Sequence, residues 1–299
     1  MRKQLSYARE PCSKLSQSAR EYPLNSVRNE GQVRAYYDAL RSAFGPQHWW
    51  PARTRFEVIV GAYLTQNTSW TNVEIALRRL RRARVLTLAG IRNASLAELE
   101  ALIRSSGYFR QKAARLKTFV AFLDGRYGGS LTRMFSQPTE KLRQELLGLN
   151  GVGPETADSI LLYAGQHPVF VVDTYTRRIL ERHEIVSAKA PYEEIRVLFE
   201  RSLSSMAPQS PVVSFPESSV DTHSTNIEAK KSLKPHPPSI MSLAKRSFLA
   251  QIYNDMHGLI VSVGKNYCLK SKVICEECPL QKFLPRGVPL NIQNASARR

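Results

Sequence analysis

Apolar residues recur every three or four positions along most of the chain, with polar and basic residues between them. This pattern predicts one helix after another. Val33 to Phe44 keeps the spacing and stops at Gly45-Pro46. Phe56, Ile59, Val60 and Tyr63 mark a helix over Phe56–Leu64, and Val73, Leu77 and Leu80 mark another from Asn72 onward. Ser95–Ile103 is amphipathic in the same way. Lys112 and Arg115 begin a further helix, with Leu116, Phe119, Val120 and Leu123 on its apolar side. Glu140–Glu145 reads as a short helix, and Ala157, Ile160, Leu161 and Ala164 fall at i, i+3, i+4 and i+7 of the next. Val169-Phe170-Val171-Val172 lacks this period; it is mostly β-branched and predicts a short buried extended segment. Asp173 ends it and opens a helix over Thr174–Arg182. Tyr192–Leu203 and residues 241–263 complete an all-α expectation.

Two stretches fall outside the pattern. Residues 1–29 are polar and read as a disordered basic arm. From about Ser204 to Ser239 the chain holds six of its 17 prolines and many serines, so 204–239 reads as a disordered insertion with no visible function. Composition narrows the partner. The 299 residues suffice for one large or two modest domains, and 42% of them are hydrophobic, enough for a packed core. Lys and Arg outnumber Asp and Glu by 43 to 25, and a net charge of +18 points to a polyanion. No apolar run reaches the ~18 residues of a membrane span, and Met1-Arg2-Lys3-Gln4 lacks the apolar core of a signal peptide. An intracellular setting is expected, which makes Cys268, Cys275 and Cys278 candidates for metal rather than for disulfides.

Candidate chemistry gathers in four places. In Leu149-Asn150-Gly151-Val152-Gly153-Pro154-Glu155-Thr156-Ala157, two glycines make a tight turn and a proline opens the next helix. Unpaired backbone N–H groups at such a helix start bind phosphate readily. Trp49 and Trp50 stand side by side before Pro51; either both pack in the core or one forms a stacking wall. Leu64-Thr65-Gln66-Asn67-Thr68 is a polar break that serves as a helix cap or as a site. Asp173 is an N-cap, a catalytic carboxylate, or both. Arg78, Arg79, Arg81, Arg82 and Arg84 add either a solvated basic face or a phosphate-facing one.

The hairpin, followed by Val171-Val172-Asp173-Thr174, resembles the helix-hairpin-helix and catalytic aspartate of the endonuclease III family of DNA glycosylases. The likeness runs from about Trp49 to Cys278 and includes Ser106-Gly107-Tyr108-Phe109-Arg110-Gln111-Lys112-Ala113. It implies a two-domain enzyme: a six-helix domain over 52–166, and a second domain of 30–51 plus 167–299, with the DNA cleft between them. It implies a monomer in a bacterial cytoplasm, associated with the nucleoid, acting on a damaged base flipped out of double-stranded DNA. Asp173 takes the catalytic role, with Glu155 and Lys265 as further candidates. Gln66, Gly151, Val152, Gly153 and Thr156 contact DNA, and Gln66 fills the gap left by the base. Trp49, Trp50 and Pro51 line the base pocket, as in the alkylated-purine branch of the family. Glu155 stands where bifunctional members carry a Schiff-base lysine, which implies monofunctional removal of a base such as 3-methyladenine. The alternatives are an endonuclease III-like glycosylase and lyase for oxidised pyrimidines, and a non-catalytic DNA-binding protein. The family's loop holds a [4Fe-4S] cluster on four cysteines; here the loop, 268–284, has Leu284 at the fourth position. A cluster, a zinc ion on three thiolates, and no metal all remain open.

Overall fold

The computed structural model describes residues 24–207 and 236–285; residues 1–23, most of the proline-rich stretch and Cys12 lie outside it. Twelve α-helices follow one another among the described residues: α1 (Leu24–Phe44), α2 (Arg55–Thr65), α3 (Trp70–Arg82), α4 (Leu88–Asn93), α5 (Leu96–Ile103), α6 (Phe109–Tyr127), α7 (Leu131–Phe135), α8 (Thr139–Leu147), α9 (Pro154–Ser159), α10 (Thr174–Arg182), α11 (Tyr192–Ser204) and α12 (Phe248–Asn266). α9 runs on into a π-helical turn, Ile160–Gly165. The only pairing of β type among the described residues is an isolated bridge between Cys268 and Val273. The all-α expectation holds.

Side-chain caps decide where several helices begin. Thr54, Ser69, Thr87, Ser95, Ser130, Asp173 and Ser247 each accept a backbone N–H in the first turn. Ser69 therefore starts α3 at Trp70, two residues before the expected Asn72. Ser247 delays α12 to Phe248, and residues 239–244 fold back in turns, where a helix from 241 was expected. α1 begins at Leu24, so the expected arm is shorter than 1–29. Periodicity missed its start because the apolar residue there, Val27, is 69% exposed.

α1, α10, α11 and α12 pack on one another, while α2 packs on α3, α6, α9 and the π turn. α12 also meets the π turn, which joins the two groups. The extended segment Val169–Val172 is buried throughout and threads the core. Phe170 stacks on Phe199 at 4.1 Å, and the Phe170 N–H donates to the Glu200 carboxylate at 2.9 Å. The Val172 N–H donates to the Tyr192 hydroxyl (3.2 Å). These bonds satisfy an extended backbone that has no neighbouring strand, and they fix the chain immediately before Asp173.

Candidate active site

Asp173 leaves the buried segment as the N-cap of α10. Its Oδ1 accepts from the Thr176 N–H at 2.8 Å and from the Thr176 hydroxyl at 2.9 Å. Its Oδ2 is left over and faces His257 Nε2 at 3.6 Å, with 12% of the side chain exposed. Burial alone would raise its pKa. The His257 imidazole and the two Thr176 bonds outweigh burial and hold the carboxyl below the usual range. The N-cap and catalytic readings of Asp173 are therefore compatible, since one oxygen caps the helix and the other is free.

His257 was not singled out by sequence. It sits buried within α12, and its Nδ1 lies 2.5 Å from the Tyr163 hydroxyl. Tyr163 is buried and its pKa is pushed well above 10, so it keeps its proton as a donor. With Nδ1 taken up by Tyr163, the other ring nitrogen, Nε2, is turned towards Asp173. The result is a Tyr163–His257–Asp173 line drawn from the π turn, α12 and α10.

An aromatic box adjoins this line. The Trp49 and Trp50 rings lie 5.5 Å apart, and Trp50 meets Trp70 edge-on at 5.1 Å and Tyr163 at 5.1 Å. Trp49 lies 6.1 Å from His257, and the Lys265 ammonium stands 5.7 Å above the Trp49 ring. Both tryptophans are buried and neither indole N–H has a partner, while Pro51 is half-buried beside them. The backbone of α12 comes close here: a Cβ on Gly258 would lie 3.0 Å from that of Trp49. Lys265 is open to solvent, and burial of its surroundings lowers its pKa against the pull of Asp173 and Glu74.

Glu155 sits in the first turn of α9. Its neighbours' burial and the Asp173 charge push its carboxyl from 4.5 up to about 7. Its side chain is nevertheless exposed, so solvent screens part of this effect. The folded chain holds the proton more tightly than the unfolded one does. The stabilising contribution is full below pH 4.5 and is lost as pH rises towards 7. Glu155→Gln, uncharged at every pH, should therefore raise the melting temperature relative to wild type at pH 8 and not at pH 4. A gap of the same size at both pH values would count against this coupling.

The hairpin turns at Gly151, whose φ is +77°. The positive φ is what favours glycine there; a Cβ would also fall 1.9 Å from Arg115 Nε and displace the end of that side chain. Gly151 and Gly153 are exposed. Val152 and Thr156 are not: the Val152 side chain packs into the core, and Thr156 is buried. Gln66 donates to Gly151 O at 2.9 Å and to Thr156 Oγ1 at 3.0 Å, and accepts from Arg115 Nη1 at 2.7 Å. Its amide is thus engaged with the hairpin. The loop that carries it is tied down by Lys112, a buried amine whose Nζ donates to Leu64 O (2.8 Å) and Ser106 O (2.7 Å). Burial lowers the Lys112 pKa to about 8.

A family profile described as HhH-GPD superfamily base excision DNA repair protein matches residues 60–205. A protein of Methanocaldococcus jannaschii named as a DNA repair glycosylase is 38% identical over 248 residues, 83% of this chain and 93% of that one. The chain belongs to the HhH-GPD superfamily. Endonuclease III of Thermotoga maritima is 26% identical to this glycosylase, over 81% of this chain and 90% of its own. Among solved structures, H. pylori 3-methyladenine DNA glycosylase bound to 1,N6-ethenoadenine superimposes with a TM-score of 0.58 at 25% identity, over 79% of this chain and 97% of that one. A non-covalent endonuclease III–DNA complex gives 0.61 at 21% identity, over 90% of this chain and 99% of that one, which establishes the shared fold.

The glycosylase's basic helix α3 is less uniform than its sequence suggested. Arg81 pairs with the buried carboxylate of Glu57 although it stays exposed itself, while Arg78, Arg79 and Arg82 on the helix and Arg84 just beyond it are exposed as well. The cysteine loop is likewise held by protein groups. Arg182 donates to Cys268 Sγ at 3.0 Å and to Leu269 O at 2.8 Å, and Arg178 donates to Cys268 O at 2.7 Å. Burial pushes the Cys278 thiol up to about 11, and Leu284 is buried at the position of the missing ligand. Among the described residues, no three His, Cys, Asp or Glu side chains are placed to hold a metal ion. An arginine on one sulfur and a buried leucine in the fourth place do not fit a cluster of four protein thiolates. Among the described residues no helix is long and apolar enough to cross a membrane.

Proposed function

We propose that this glycosylase is monofunctional and hydrolyses the N-glycosidic bond of an alkylated purine, such as 3-methyladenine, in duplex DNA. The observation that carries the reading is the union of an ionised, mostly buried Asp173 with a box of three tryptophans, at a hairpin whose lysine position is Glu155. The exposed glycine turn takes the phosphate backbone, and the damaged base leaves the stack for the box. An alkylated purine carries positive charge, which aromatic faces favour by ~0.5–2 kcal/mol. Such a base is already a good leaving group. Asp173 Oδ2 then stabilises the oxocarbenium-like sugar and directs water to C1′, while Thr176 and His257 hold its orientation. In the same reading the helical groups flanking the cleft form the two expected domains, and the chain acts as a monomer in the cytoplasm.

Glu155 cannot form a Schiff base, so borohydride added during turnover should trap no covalent enzyme–DNA adduct. Duplexes carrying single lesions, treated with enzyme and then with alkali, should show cleavage at alkylated purines. Excision confined to oxidised pyrimidines would defeat the substrate assignment. A borohydride-trapped adduct would defeat the monofunctional one. It would favour a lyase reading in which Lys265, close to Asp173 and with a lowered pKa, supplies the amine.

A further inference from the structure

The aromatic box has one wall that comes from beyond the proline-rich stretch. The His236 ring lies 5.5 Å from the Trp49 ring, tilted by 53°. It is half-buried, and the segment behind it is stitched to the tryptophans by main-chain bonds. The Ala52 N–H donates to Ser239 Oγ at 3.3 Å, and Ser239 Oγ donates to Trp50 O at 3.3 Å. The Met241 N–H donates to Ala52 O at 3.0 Å. Met241 and Ser242 are buried, and Arg246 donates to the carbonyls of both. Residues 236–239 were expected to belong to a functionless insertion; instead they are docked on Trp49–Ala52.

We propose that His236 is a specificity-determining residue that closes the base pocket over Trp49 and limits the size of the base admitted. This rests on the pocket reading of Trp49 and Trp50 given above. Three features support it. His236 and Lys265 both meet the Trp49 ring, at 5.5 and 5.7 Å, so histidine and lysine border the same indole. Burial and the Lys265 charge lower its pKa, so it presents a neutral face that does not repel a cationic base. The bonds at Ser239 and Met241 anchor the chain to Trp50 and Ala52 from three residues after the ring, and a wall on an anchored segment sorts bases by size.

The test measures single-turnover excision of a panel of single-lesion duplexes by full-length wild-type, His236→Ala and His236→Trp proteins. The panel holds 3-methyladenine, 1,N6-ethenoadenine, 5-hydroxycytosine and thymine glycol. A hydrophobic pocket discriminates by about tenfold or more per methylene-sized change. His236→Ala should therefore raise the rate ratio of larger to smaller excised bases about tenfold, and His236→Trp should lower it. Affinity for undamaged duplex serves as the control for folding. Ratios within twofold of wild type in both variants overturn the proposal. If the wild type excises only pyrimidine lesions, the alkylated-purine reading falls, while His236 is still judged on the ratio between those two. A wild type that binds duplex and excises nothing on the panel overturns both.

Discussion

Asp173→Asn should reduce base excision by on the order of 10³-fold while leaving folding and duplex affinity close to wild type. The asparagine amide oxygen can keep accepting from the Thr176 N–H and hydroxyl, so the start of α10 survives. What disappears is the negative charge on the free oxygen facing His257. A preorganised group aimed at developing charge is worth about 10²–10³ in rate when removed singly. In the proposed mechanism the carboxylate both stabilises the sugar cation and steers water, which places the expected loss at the upper end. Asp173→Ala should lose the same activity and also about 1 kcal/mol of stability through the cap. The pair of variants separates the two duties. Single-turnover excision alongside fluorescence anisotropy measures both quantities, and Asp173→Asn activity within tenfold of wild type would remove Asp173 from the chemistry.

Arg143→Ala should cost roughly 3–5 kcal/mol of folding stability, the largest stability loss we expect from a single surface-to-core charge removal here. Arg143 reaches from α8 to α9, pairing bidentately with Asp158 at 2.6 and 3.1 Å, and its Nη2 also reaches Glu193 on α11 at 2.5 Å. The Arg143 side chain is 5% exposed and that of Asp158 is 0% exposed. Burial raises the Asp158 pKa even against the arginine, so removing the partner strands a carboxylate in the core. Arg143→Met combined with Asp158→Leu should recover much of the loss, because no charge is then left unpaired. Urea unfolding of the three variants checks this. A single-variant cost below about 1 kcal/mol would show that the clasp is solvated.

Much of the fold was legible because burial and spacing agree. α10 begins and ends where apolar spacing and Asp173 placed it, and α5 and α11 differ from expectation by a residue. The hairpin was legible because glycine and proline have few other uses at such a turn. The gaps have physical causes too. At the start of α1, Val27 and Arg28 are exposed, so no apolar period marks that stretch. The residues from 241 to 247 are apolar enough to continue a helix, but bonds to Ala52 and the Ser247 cap are tertiary and local details that periodicity does not carry. His257 was readable only as a lone titratable residue in an apolar run; its partner Tyr163 lies 94 positions away. The engagement of Gln66 with Thr156, 90 positions off, was equally hidden. In the cysteine loop, spacing pointed to ancestry, while the arginines that now brace it sit on α10.

The line through Trp49, Tyr163, Asp173 and His257 draws on stretches that begin before α2 and end inside α12. A chain still emerging from the ribosome therefore has the hairpin and even the acidic group in hand long before it owns the imidazole. Until the final long helix has docked, the chamber has no far side, and on the proposed mechanism a half-made copy of this enzyme would hold a strand and leave its bases in place.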